Sequence, residues 1–216
     1  MAVFTKLDEK EIIDFIASYN IGILEQYDEI IEGIENTNYK IICNGIPYIL
    51  TIFEKRVKEA ELPFFIDLKL YLSSNNFKCP KPIKNNKGKI INSIKNKKAI
   101  VISFIEGKKI SLPDENECEE VGKIVGELHN LTVNFNKKRE NSLGIKEWRN
   151  LFIKCQKNNE KRFDEIIKDL EIEINFLEKS WPLNLPSGII HADLFKDNIF
   201  FKEKKVIGVI DFYFSC

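Results

Sequence analysis

The segment HADLFKDNIFF, His191 to Phe201, sets a histidine, an aspartate and an asparagine in the pattern H-x-D-x-x-x-x-N. Asp211 follows in IDF, after the apolar run VIGV. A carboxylate such as Asp193 can orient a hydroxyl and take its proton. Asn198 and Asp211 offer hard oxygens of the kind that hold Mg²⁺ while leaving coordination positions for phosphate oxygens. Together they suit transfer of a phosphoryl group from a triphosphate to an alcohol. Taken singly, Asp193 could cap a turn, Asn198 could open a strand, Asp211 could end one, and His191 could be a satisfied core histidine. The two spacings and the strand context together favour the chemical reading. A metal hydrolase fits less well, because the other histidine, His129, falls in a helical stretch with no HExxH.

The order of base, amide and carboxylate is that of the protein-kinase-like fold, and the rest of the chain can be read for elements that would position it. LDEKEIIDFIASYN has helical spacing with acids in its first turn. ILEQYDEII, YKIIC and YILTIF read as strands, the last two joined by the hairpin signal Asn44-Gly45. KEAELPFFIDLKLYLSSNN reads as a helix with Pro63 in its first turn. GKIINSI and KKAIVISF form a second strand pair. About five strands and one internal helix thus occupy the first half, an antiparallel sheet rather than a βαβ alternation. Helices dominate the second half. One starts at the capping-box pair Asp114 and Glu117 and carries a stripe of Cys118, Val121, Val125 and Leu128. Another carries Phe163, Ile167, Leu170, Ile174 and Leu177. Short strand-like pieces, GII, NIFF and VIGVID, then hold the polar cluster. The fold class is α+β, with a β-rich lobe over residues 1–106 and a helical lobe over 107–216.

In the first lobe, EGIENTN is either an ordinary hairpin turn or a phosphate cover in which Gly33, Asn36 and Asn38 bring N–H groups to the ligand. ISFIEG, Ile102 to Gly107, is either an interdomain strand or one whose backbone also meets an adenine edge. Lysine plus arginine equals aspartate plus glutamate at 33 each, so no overall basic field points to nucleic acid. Five cysteines without a CxxC pair argue against a zinc site and a disulfide framework, and fit a reducing cytoplasm. No apolar run is long enough to span a membrane.

The segments MAVFT, EGIENTNY, YILTIFEKR, ELPFF, VISFIEGKKI, WPLNLPSGIIHADLFKDNIFF and GVIDFYF resemble the bacterial homoserine kinases of the aminoglycoside-phosphotransferase-like type. The resemblance covers nearly the whole chain. It implies a two-lobe protein-kinase-like fold with ATP between the lobes, and phosphorylation of the side-chain hydroxyl of L-homoserine in threonine biosynthesis. Asp193 would be the catalytic base, and Asn198 and Asp211 the Mg²⁺ ligands. Gly33 to Asn38 would cover the phosphates and Ser103, Phe104 and Ile105 would face adenine. Glu61 is either the partner of a phosphate-binding lysine or a solvated first-turn acid. Arg139 and Asn141 either reach the acceptor's amino-acid end or lie in a surface loop. The sequence departs from the wider superfamily in placing Thr51 where the third strand usually carries a basic residue. Such kinases also continue for about a hundred residues past IDFYF, so a C-terminally shortened helical lobe is expected. A kinase of another small alcohol (choline, methylthioribose or an aminoglycoside) and a nucleotide-binding remnant without catalysis are the alternatives. The oligomeric state stays open.

Overall fold

In the computed structural model, which describes residues 4–32, 35–54, 57–158 and 163–216, the chain divides into two compact units. One comprises Met1–Lys138 with Ile189–Ser215, the other Arg139–Gly188 with Cys216.

The first unit opens with α1 (Glu9–Ile16), started by a capping box in which the side chains of Asp8 and Glu11 each accept the other's backbone N–H. Strands β1 (Leu24–Ile30), β2 (Thr37–Cys43), β3 (Ile46–Ile52), β4 (Asn92–Ile94) and β5 (Lys97–Ser103) form one antiparallel sheet in the order β1-β2-β3-β5-β4. The expected hairpins are present. Asn44 and Gly45 take φ of 49° and 74°, the left-handed pair that matches strand twist and sets Cys43 opposite Ile46. Tyr39, Ile41 and Cys43, two residues apart on β2, share one sheet face with Leu50, Ile52, Ala99 and Val101, and α1 covers it through Ile12 and Ile16.

Ile100 and Ile102, on the opposite face, join a second core with α2 (Leu62–Ser74), α3 (Glu115–Thr132), β6 (Ile199–Lys202) and β7 (Lys205–Val209). Pro63 stands in the first turn of α2, where its missing N–H costs no helical bond. Phe65, Leu68, Leu72 and Phe212 are fully buried in this core. Each such side chain contributes about 1.5–3 kcal/mol relative to an exposed one. Phe212 follows Asp211 directly, so the core fixes the backbone next to Asp211. α3 begins with the predicted Asp114–Glu117 capping box. Its inward stripe runs through Val121, Ile124 and Leu128, while Cys118 is exposed. The strand expected at Gly188–Ile190 does not form, and β6 and β7 pair as an antiparallel ribbon, with Phe201 of β6 also bridged to Lys108.

In the second unit, α4 (Ile145–Lys157) packs on α5 (Asp164–Ser180). Arg149 ties them through Asn175 at 2.7 Å and Glu178 at 2.5 Å. Phe152 and Ile174 are buried, whereas Phe163, Leu170 and Phe176 remain exposed. Two helices enclose too little volume to bury both apolar stripes. Among the described residues, no helix is long and apolar enough to cross a membrane.

Candidate active site

The loop from His191 to Asn198 is held by its own polar groups. His191 is buried between its two hydrogen bonds: Nε2 donates to the Ile210 carbonyl at 2.8 Å and Nδ1 accepts the Asp193 N–H at 3.3 Å. Its ring also lies 4.7 Å from that of Phe212. Burial holds the imidazole below its ordinary value, so it stays neutral at pH 7 and serves as a clamp between the loop and the strand end. The Asp193 carbonyl accepts from Phe195 N at 2.9 Å and from Asn198 Nδ2 at 2.8 Å. Ile210 N in turn donates to the Asn198 carbonyl at 2.9 Å. Asp193, Asn198 and the segment entering Asp211 are therefore cross-linked through backbone.

Asp193, Asn198 and Asp211 line one cavity of about 980 Å³, together with Asn36, Asn38, Thr51, Ser103, Phe104 and Ile105. Nine of the sequence-predicted residues thus meet at one site. Ile30, Ile49, Ile102 and Phe200 supply apolar wall, a suitable surface for a flat heterocycle. Ser103 is tied to Lys81 twice, its N–H donating to the Lys81 carbonyl at 2.9 Å and its Oγ accepting the Lys81 N–H at 2.9 Å. Among the described residues, no backbone hydrogen bond claims the peptides of Phe104 and Ile105. Asn38 accepts the Thr51 hydroxyl at 2.8 Å, and Asn36 Oδ1 accepts Glu54 N at 3.4 Å, so these amides brace the strand ends as they line the cavity. Gly33 lies outside the described residues. Glu61 is the N-cap residue of α2, 3.9 Å from Lys58, and does not line the cavity. Arg139 and Asn141 belong to the second unit, where Asn141 Oδ1 accepts Leu143 N at 2.9 Å in the turn before α4.

Lys69 and Tyr213 also line the cavity, and sequence reasoning passed over both. Lys69 comes from α2, is 2% exposed, and donates to Tyr213 Oη at 2.9 Å, with its Nζ 4.0 Å from the centre of that ring. Phe53 and Phe65 pack edge-on against Tyr213 and fix the ring. Burial pushes the Lys69 ammonium down to about 8, against the opposing charge of Asp211, which leaves it protonated at pH 7. Burial likewise raises the Asp211 carboxyl, with Lys69 opposing. α2 is apolar around most of its circumference, and Lys69 is buried among Phe65, Leu68 and Leu72.

These residues fit a divalent cation. Among the described residues Asp211 Oδ1 is buried with no hydrogen-bond partner, and Asp211 is held at φ 62°, a left-handed conformation that aspartate tolerates better than most residues. Asn198 spends its amide N–H on Asp193, which turns its Oδ1 to the other side as an acceptor. Among the described residues, no group of three or more His, Cys, Asp or Glu side chains could hold a metal. Two protein oxygens with positions left for phosphate and water is the pattern typical of Mg²⁺.

The profile of the phosphotransferase enzyme family matches residues 27–216. A homoserine kinase from Parvibaculum lavamentivorans is 39% identical over 216 residues, spanning 100% of this chain and 67% of the relative. One from Sinorhizobium medicae is 42% identical over 220 residues, spanning 100% and 66%. The chain thus covers about two thirds of the length of the curated relatives it matches. Among solved structures, an amicoumacin kinase in complex with AMP-PNP and Ca²⁺ superposes with a TM-score of 0.72 at 20% identity, covering 97% of this chain and 65% of that one. A spectinomycin phosphotransferase with ADP bound gives 0.74 at 13% identity, covering 98% and 70%. Both likenesses show the α+β fold expected from the sequence.

Proposed function

Since the chain belongs to the phosphotransferase enzyme family, we propose that it transfers the γ-phosphoryl group of ATP to the side-chain hydroxyl of L-homoserine. The observation that carries the chemistry is the convergence of Asp193, Asn198 and Asp211 on one cavity, with Asp211 Oδ1 buried and unpartnered. The choice of acceptor is supported by the homoserine kinases at about 40% identity. Asp193 accepts the proton of the attacking hydroxyl as its oxygen adds to the γ-phosphorus and the bond to ADP breaks. Asn198 and Asp211 would hold Mg²⁺, whose charge offsets that on the phosphoryl oxygens. The peptides of Phe104 and Ile105 meet the adenine edge, and Asn36 and Asn38 approach the phosphates. Residues 1–106 form the nucleotide lobe in this reading and 107–216 bring the catalytic loop. The five free thiols support a cytoplasmic setting.

ADP release from the 216-residue chain with ATP and Mg²⁺ should require L-homoserine. Release with choline, methylthioribose or an aminoglycoside but not homoserine overturns the acceptor. Nucleotide binding without turnover of any acceptor overturns the transfer. Asp193→Asn should lower kcat by about 10²- to 10⁴-fold, the usual contribution of a general base, and leave ATP affinity nearly intact.

A further inference from the structure

We propose that Lys69 supplies the fixed positive charge that faces the nucleotide's phosphates in this site, doing from helix α2 what a basic residue of the third strand would otherwise do. The inference rests on the kinase reading above and concerns the same cavity.

β3 presents no cation there: Thr51 is buried and its hydroxyl is committed to Asn38 at 2.8 Å. Among the described residues, two lysines line the cavity, Lys69 and Lys109. Lys109 stands at the rim, its side chain 37% exposed and paired with Glu32 at 2.9 Å, so solvent already screens it. Lys69 is the opposite case. It lies on α2 between the fully buried Phe65 and Leu72, four residues before it and three after. A leucine or methionine would satisfy packing there, and an ammonium removed from water costs several kcal/mol unless its surroundings repay it. What surrounds it is cavity-facing: the Tyr213 hydroxyl and ring face, and the field of Asp211. The ammonium has three donors and Tyr213 Oη takes one. A buried cation in the field of a carboxylate whose Oδ1 has no partner among the described residues suits a polyanion brought in with a metal ion, because each charge is then met by its opposite. Lys69 acts as a binding and positioning residue and exchanges no proton in this role.

The test measures the affinities of AMP-PNP with Mg²⁺, and of adenosine, on the 216-residue chain by calorimetry. Lys69→Met should weaken AMP-PNP by about 10- to 100-fold, the worth of one charge-assisted contact, and leave adenosine within about twofold. Lys109→Met should change both by less than about threefold. Equal loss for AMP-PNP and adenosine, no loss for either, or a selective loss in Lys109→Met in place of Lys69→Met overturns the assignment. If circular dichroism shows Lys69→Met unfolded, the wild-type chain decides the matter. An acyl phosphate of ATP transfers its acyl group to a lysine amine at the phosphate end, the C–O bond breaking as ATP leaves. Peptide mapping should find the tag on Lys69, blocked by excess AMP-PNP; a tag on Lys109 with Lys69 unmodified overturns the proposal. A wild-type chain that binds adenosine and AMP-PNP not at all fails the kinase reading itself, which keeps the two failures distinct.

Discussion

Two carboxylates of the first unit, Glu54 and Asp211, lie in the field of a lysine, and they are met in opposite ways. Glu54, just past β3, is enclosed by donors: the Thr5 and Thr37 hydroxyls at 2.7 Å each, and Lys97 from β5. Lys97 adds a bond to Thr5 Oγ1 at 2.7 Å. In the other case, Asp211 feels the charge of Lys69 with no ion pair between them, its Oδ1 has no partner among the described residues, and Lys69 donates to Tyr213 Oη. Both place charge in a low-dielectric surrounding, where unmet polar atoms are expensive. The first network is complete and ties the N-terminal segment to the sheet. The second is open toward a cavity. A satisfied buried pair contributes to folding; an unsatisfied one holds its free valences for a ligand.

Breaking each pair should therefore be felt in different measurements. The largest change in stability is expected from Glu54→Gln, which leaves Lys97 and two hydroxyls facing an amide. Removing one partner of a buried pair costs about 3–5 kcal/mol. The Lys97 side chain is 38% exposed and solvent recovers part of that, so about 2–3 kcal/mol is expected from urea denaturation. Adenosine affinity of the folded variant should not move. Asp211→Asn should do the reverse. Asparagine accepts the left-handed backbone at this position, and the variant trades the field of the buried Lys69 against release of a carboxylate that burial disfavours, so stability should shift by less than about 1 kcal/mol. The dependence of AMP-PNP affinity on Mg²⁺ should flatten by about tenfold or more, because an amide oxygen is a poorer ligand for a hard dication. A strong loss of stability in Asp211→Asn with Mg²⁺ dependence intact would place this pair with the structural one.

The two arrangements were not equally visible in the sequence. The loop proposed to be catalytic was legible because its pattern is local: His191, Asp193 and Asn198 fall within eight residues. The loop then closes on itself through hydrogen bonds spanning two to five positions. The hairpins were legible for the same reason, since Asn44-Gly45 states its own turn. Lys69 was not, because its meaning comes from Tyr213, 144 residues away in the chain, and a lysine inside FFIDLKLYL reads as a solvent-facing interruption. Glu54 was hidden likewise behind Thr5, 49 residues away, and Lys97, 43 away. Periodicity also overreached where tertiary context was thin. Phe163, the N-cap residue, and Leu170 continue the apolar stripe of α5, yet both are exposed, since among the described residues α5 packs within its unit on α4. On α3, Cys118 sits at the edge of the inward stripe and turns to solvent.

The smallest effect is the most direct comparison, because the two carboxylates should respond to pH with opposite signs. Burial raises Glu54, but the hydrogen bonds from Lys97, Thr5 and Thr37 outweigh it and hold the carboxyl below its ordinary 4.5. The unfolded chain then binds more protons than the folded one, so the stability Glu54 gives is full above about pH 4.5 and lost as pH falls through the lower, folded value. Asp211 is held above its ordinary 3.8 by burial, against the opposing charge of Lys69. Here the folded chain binds more protons. Asp211 therefore favours the folded state most below about pH 3.8, and that contribution is lost as pH rises through the higher, folded value. Urea denaturation of wild type, Glu54→Gln and Asp211→Asn at steps between about pH 3.5 and 7 separates the two. The gap between wild type and Glu54→Gln should narrow toward acid, while wild type should gain on Asp211→Asn in the same direction. With saturating Mg²⁺ and AMP-PNP the second trend should disappear, since a metal-held carboxylate no longer gains from a proton. Parallel curves for the two variants would mean that Asp211 is as fully met by the fold as Glu54, and the distinction between a structural pair and a waiting one would fall.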